Sequence, residues 1–186
     1  MFKPESRAEL QVAVKRCTST STSDCSLGPR QPIQDWDVSA VTNMAEMFSG
    51  ASDFNQDLSK WDVSAVTSMG HMFSHASAFN QDLSNWHVSA VTDMASMFHL
   101  AKAFNQDLSQ WDVSAVTDMS FMFADALAFN HNLCGDAWVN SKADKENMFV
   151  GSKGSISKKV CTTAAPGHGE GNMVLVHRSL EVPQCG

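Results

Sequence analysis

The chain has 186 residues, the length of one ordinary domain, with 43% hydrophobic and 18% charged residues, a balance that excludes disordered polar, collagen-like and membrane-embedded chains. Its formal charge of −7 repels phosphate backbones and anionic membrane surfaces, so nucleic acid is not an expected partner. Eleven Met, eleven Phe and five Trp stand beside no Tyr, a skew that arises when one short unit is copied.

The opening segment, Met1 to Cys17, carries charges throughout and has no apolar core of the length a secretory signal needs. No stretch reaches the roughly 18 apolar residues of a membrane span, so no membrane insertion is expected. These residues are consistent with an intracellular chain or with a leader outside this stretch. Leu10, Val12, Ala13 and Val14, set among charges between Arg7 and Cys17, predict a helix that caps one end of the domain. Residues 1–32 therefore read as a capping helix and loop.

From Phe54 the chain repeats itself with a period of 25 residues. Units starting at Phe54, Phe79 and Phe104 are identical at seventeen positions, in the form F-N-Q-D-L-S-x-W-x-V-S-A-V-T-x-M-x-x-M-F. A partial unit runs from Ile33 to Asp53. A degenerating one follows Phe129, where Trp138, Met148 and Phe149 echo Trp111, Met122 and Phe123. The repeats thus occupy 33–149, about five units with three complete, and 150–186 is a C-terminal cap or tail.

Within a unit the apolar spacing changes halfway. Trp86 and Val88 flank His87 in the two-residue alternation of a short strand. Val91, Met94, Met97, Phe98 and Ala101 then step by three or four, which predicts a short helix or 3₁₀ turn. Asn43, Ser68, Asp93 and Asp118 stand where N-caps would, and Glu46 would complete a capping box with Asn43. One unit cannot bury its own Trp, Phe and Met side chains, so copies must stack. Stacking aligns Trp36, Trp61, Trp86 and Trp111 in one row and Asn55, Asn80, Asn105 and Asn130 in another, the Asn amides satisfying backbone groups inside each bend. The predicted fold is an α/β repeat solenoid: a leucine-rich-repeat-like, right-handed coil with one short parallel strand and one short helix or 3₁₀ turn per repeat, capped at both ends.

The run Val63, Ser64, Ala65, Val66, Thr67, Ser68, Met69, then Met72, Phe73, Ala76 and Phe79, resembles the BspA-type leucine-rich repeat. The full 25-residue form looks like the Met- and Trp-bearing branch of that clan, found in mycoplasmal lipoproteins, other bacterial surface proteins and algal proteins and mostly of unknown function. The resemblance covers Gln34 to Phe149; the degenerate last unit and the Cys-bearing tail depart from it. It implies a solenoid on a cell surface that binds proteins or adheres, with no catalytic residues and no cofactor.

Between Gln34 and Leu133 twelve acids face only Lys60 and Lys102, a local charge of −10. Asp37, Asp62 and Asp112 fall in register with His87, and Asp57, Asp82 and Asp107 form a second row. Such rows could hold a cation or attract a basic partner. The favoured reading is that the Asp of N-Q-D-L, at 57, 82 and 107, accepts backbone N–H bonds in a turn, and the G-G-x-G-x-D calcium pattern is absent. The Met rows, beginning Met44 and Met47, are read as core rather than as soft metal ligands. His71 and His75 are spaced for one helical face without a third ligand, and His168 lies in a Gly-rich turn near Cys161. No P-loop, nucleophile elbow, dinucleotide fingerprint or zincin motif occurs, so no enzyme, metal or cofactor is expected. The pairing of Cys17, Cys25, Cys134, Cys161 and Cys185 is not fixed by spacing, and an odd count leaves one without an intrachain mate.

The positions that vary beside the constant Trp are Lys60, Asn85 and Gln110, then Asp62, His87 and Asp112. They are the expected partner-binding face, for a protein or surface glycan and preferentially a basic one. The alternative is a scaffold subunit docking through exposed apolar residues such as Phe121 and Leu127.

Overall fold

A computed structural model describes residues 1–18 and 31–161. Its named elements are helix α1 (Arg7–Thr18), a 3₁₀ turn at Ile33–Asp35, strand β1 (Asn132–Leu133), helix α2 (Asp136–Val139) and strand β2 (Ser155–Ile156). Strands β1 and β2 pair in parallel, with Asn132 opposite Ser155 and Leu133 opposite Ile156. Between the 3₁₀ turn and β1 the chain is built from turns, and its copies are tied together by parallel bridges that run Asn43, Ser68, Asp93, Asp118, Asp144.

These bridges fall on the residues expected to cap helices, and neither the Trp-x-Val strand nor the short helix after it forms. The reason lies in where the amides point. From Met69 to Ala76 they alternate between two destinations. Met69, His71, Phe73 and His75 donate to Asp93, Ala95, Met97 and His99 of the next unit, at 2.9, 2.8, 2.9 and 2.7 Å. Met72, Ser74 and Ala76 donate three residues back, to Met69, His71 and Phe73. An α-helix directs all its amides along one axis; alternation requires left-handed residues. His71 and His75 supply them with φ of 56° and 61°, and Ser96 with Leu100, Phe121 with Asp125, Glu46 with Gly50 and Asn147 with Gly151 repeat the pair. Left-handed Glu46 closes no capping box. The three-residue turns still bring Met69, Met72, Phe73 and Ala76 to one buried side, which is why their spacing imitates a helix.

The Trp-x-Val segment keeps its alternating burial but is joined across units by side chains. Trp61, Trp86 and Trp111 donate Nε1 to the carbonyls of Ile33, Leu58 and Leu83 at 2.8–3.0 Å. Trp138 reaches Leu108 at 2.8 Å, although it lies two residues later than the period would place it; α2 accommodates the surplus. Two files of stacked Phe rings run through the core. Phe48, Phe73, Phe98, Phe123 and Phe149 follow at 5.3–5.6 Å, and Phe54, Phe79, Phe104 and Phe129 at 5.9–6.2 Å. Met44, Met69, Met94 and Met119, with Met47, Met72, Met97 and Met122, are all buried beside them.

At the first unit, α1 buries Leu10, Ala13, Val14 and Cys17 in the same core. Phe2 sets its ring edge-on to Trp36 at 5.0 Å, and Arg7 Nη2 donates to Ala45 O at 2.6 Å. At the other end, pairing continues past the expected boundary at residue 149: Asp125 donates to Val150, Ser155 to His131, Ser157 to Leu133 and Cys161 to Cys134. A Cys134–Cys161 disulfide joins the last two turns among the described residues. Cys25, Cys185 and His168 lie outside the described residues.

Candidate functional site

All six residues expected to form the partner-binding face, Lys60, Asp62, Asn85, His87, Gln110 and Asp112, are exposed. Between them Trp61, Trp86 and Trp111 are buried, so each unit presents a variable pair around a fixed anchor. Trp86 and Trp111 stack at 6.4 Å, which holds the exposed neighbours of one unit close to those of the next.

The Asp row is built from turns. Asp37, Asp62 and Asp112 each accept the amide of the Ser two residues on at 3.0–3.2 Å and its hydroxyl at 2.6 Å. Asp57, Asp82 and Asp107 accept the amides of Ser59, Ser84 and Ser109 at 2.8–2.9 Å. Asn43, Asp93, Asp118 and Asp144 do the same for Ala45, Ala95, Ser120 and Glu146. Hydrogen bonds to the ionised form hold a carboxyl below its ordinary range. The Ser64 and Ser114 hydroxyls, then their amides, do this for Asp62 and Asp112. The Ser59 amide leads for Asp57. At Asp107 burial opposes the shift, and the Ser109 hydroxyl and amide together outweigh it. Asp37 goes lowest, to about 2, through Lys3 first and Ser39 second; the Lys3–Asp37 ion pair spans 2.8 Å. His87 favours the charged form of Asp62, whereas Asp37 disfavours it, so this row senses its neighbours across units. Lys60 reaches Asp35 at 3.5 Å, an exposed pair that contributes little.

The Asn row has a different task from the one expected inside each bend. Asn55 Oδ1 accepts the amide of Asn80 in the next unit at 2.9 Å and the side-chain amide of Gln81 at 3.0 Å. Asn80 repeats this with Asn105 and Gln106, and Asn105 with Asn130. His131 replaces Gln in the last copy and contacts Asn105 O at 3.2 Å. Thr42, Thr67, Thr92 and Thr117 form a further row in which each later hydroxyl donates to the preceding carbonyl. Both rows run along the surface and tie units together.

His71 and His75 occupy the left-handed positions, not a helical face. His75 instead packs edge-on against His99 at 5.4 Å, and burial, followed by the His75 charge, holds the His99 imidazole below its ordinary value. Among the described residues no three His, Cys, Asp or Glu side chains are placed to share a metal ion. Cys161, bonded to Cys134, offers no thiol to act with His168. No helix among the described residues is long and apolar enough to cross a membrane. The left-handed rows and the N-terminal Lys3–Asp37 contact escaped sequence reasoning. Gly50 and Gly151, standing at the ends of one such row, were the available signal.

A family model described as Mycoplasma protein of unknown function, DUF285, matches residues 19–138 and, in a second placement, 64–160. No curated protein and no solved structure matches the chain.

Proposed function

We propose, since the chain belongs to the DUF285 family of unknown function, the BspA-like repeat family in general, that it is a non-enzymatic repeat solenoid serving as a protein-interaction or adhesion module on a cell surface. Within that family its 25-residue Met- and Trp-bearing unit belongs with the mycoplasmal-lipoprotein and algal branch. One observation carries the reading. The residues that differ between copies beside the Trp, at 60, 85 and 110 and at 62, 87 and 112, are exposed while the Trp and Val next to them are buried and constant. Recognition can be tuned at such positions without disturbing the core. The partner this face suits is basic, because the units from Gln34 to Leu133 carry −10.

The test is capture from the native source by immobilised full-length chain, with Asp62→Lys/Asp112→Lys as the matched control and mass-spectrometric identification. A partner held by the wild type, released as salt rises and lost in the variant supports the reading, since screening weakens exposed charge pairs. Equal capture by both proteins overturns it. A scaffold role is favoured by one separate observation: Phe121 and Leu127 are 39% and 58% exposed. It requires a defined oligomer in sedimentation that Phe121→Asp dissolves.

A further inference from the structure

The N-terminal segment shows how a cation sits on the Asp row. Phe2 and Lys3 meet the first unit at two points: the Asp37 amide donates to Phe2 O at 3.0 Å, and Lys3 Nζ pairs with Asp37 Oδ2 at 2.8 Å. The other carboxylate oxygen, Oδ1, is taken by the Ser39 amide and hydroxyl. Asp62 and Asp112 are built in the same way, with Oδ1 holding Ser64 and Ser114. Both are exposed, and neither has an ion pair among the described residues. Their backbone amides likewise find no acceptor among the described residues. Lys60, the cation nearest to Asp62 in sequence, turns instead to Asp35. The chain itself thus fills one position of the row with a lysine and leaves two equivalent positions open.

We propose that Asp62 and Asp112 each bind a lysine of an extended partner segment, as Asp37 binds Lys3, and that the two lysines stand three residues apart in the partner. The proposal rests on the protein-interaction role and names the chemistry of its partner. Lysine is favoured over arginine by the state of the carboxylate. Because Oδ1 already accepts two hydrogen bonds at each Asp, a guanidinium cannot lay its two-bond fork across both oxygens, whereas an ammonium needs only Oδ2. The spacing follows from the ladder. Successive copies are joined by parallel bridges, which set neighbours about 4.8 Å apart and so place Asp62 and Asp112, two copies apart, at roughly 10 Å. A polyproline II segment rises about 3.1 Å per residue and returns to the same face every third residue, so Lys-x-x-Lys presents its side chains about 9 Å apart. A β-strand offers same-face spacings of about 7 or 13 Å instead. His87, midway between the two Asp, has no carboxylate and stands opposite the gap between the lysines.

Titration of the full chain with a blocked proline-rich peptide carrying Lys-Pro-Pro-Lys, followed by NMR, tests this. The amide signals of Ser64 and Ser114 should move together and saturate. Asp62→Asn and Asp112→Asn should each weaken binding about two- to fivefold, the range of one exposed ion pair. Both keep the Oδ1 acceptor, and Asn43 already holds such a turn by accepting the Ala45 amide at 2.9 Å; unmoved core amides at Phe73 and Phe98 report an intact fold. A peptide of equal charge with adjacent lysines should bind the wild type only as well as the first peptide binds a single Asn variant, and an arginine version should gain nothing. No saturable shift at Ser64 and Ser114, equal affinity for adjacent lysines, a tighter arginine peptide or indifference to both Asn changes each overturns the proposal. Spermidine competing as well as the peptide overturns it too, since the row then takes a small polyamine. The two levels fail separately. A partner captured from the native source that ignores both Asn changes and acetylation of its own lysines overturns this proposal and leaves the interaction role standing. Absence of any captured partner counts against that role, while the peptide titration still decides the lysine sites.

Discussion

Gly50 and His75 are equivalent positions, both left-handed, with φ of 74° and 61°, and together they isolate the conformational cost of the alternating turn. A Cβ built on Gly50 meets nothing within 4 Å, so Gly50→Ala adds backbone strain without a clash. A left-handed L-residue costs about 1–2 kcal/mol, and restriction of the unfolded chain returns about 0.4–1. The expected net loss is therefore roughly 0.5–1.5 kcal/mol. His75→Gly reverses the sign, reduced by the edge contact with His99, and should leave stability unchanged or raise it by up to about 1 kcal/mol. Urea unfolding monitored by Trp fluorescence reads both as shifts in midpoint at constant slope. Gly151→Ala should cost more than Gly50→Ala, because its Cβ meets the Asp125 carboxylate and lies 3.3 Å from Asp125 Cα. A wild-type midpoint for Gly50→Ala, together with a loss above about 1 kcal/mol for His75→Gly, would refute the assignment of strain to this row.

Trp86→Phe should destabilise by about 2–4 kcal/mol in the same assay: the buried Leu58 carbonyl loses its 3.0 Å donor, worth about 1–3 kcal/mol, and the vacated ring volume adds about 1. Replacing Cys134 and Cys161 by Ser opens a loop of sequence separation 27, for which chain entropy gives about 3–4 kcal/mol; equal midpoints for the oxidised wild type and the variant would contradict it. Acid should loosen the chain through its turn carboxylates. Asp37, at about 2, and Asp57, Asp62, Asp107 and Asp112 all titrate below 3.8, so the unfolded chain takes up protons first and stability falls as pH drops from about 4 towards 2. Asp37→Asn should flatten this acid limb, and an unchanged slope would remove the Lys3–Asp37 contact from the account.

What could be read from the sequence was the period and the identity of the buried rows, because both depend on side-chain type alone. Trp86, Met94, Met97 and Phe98 are buried wherever the copies stack, whatever the backbone between them does. The row Asp57, Asp82 and Asp107 was equally legible: the Asp of N-Q-D-L accepts a backbone amide in its turn, as Asp57 does from Ser59. The path of the backbone was not legible. A spacing of three and four is shared by a helix and by successive three-residue turns, and the difference rests on the sign of φ at His71, Ser96 and Phe121, residue types that do not announce it. Nor was the N-terminal docking readable, since Phe2 on Trp36 and Lys3 on Asp37 are single long-range contacts with no periodic copy to reveal them.

The same division explains why the exposed face can vary. Bonds between units come from the Thr backbone, from alternate amides such as Met69 to His75, from the Asn row and from the Trp indoles; none of these uses a side chain at 85 or 110, and at 60 only the exposed Lys60–Asp35 pair, which contributes little, reaches the preceding unit. At 62 and 112 the Asp side chain engages its own turn through Oδ1 alone, which leaves Oδ2 to meet a cationic group without dismantling the turn. At 87 His replaces Asp, and the 2.9 Å Val91–Val88 turn beside it persists without a carboxylate. At 60, 85 and 110 recognition thus rests on side chains that the architecture scarcely uses, so substitutions at these three positions should change binding and leave the unfolding midpoint where it is.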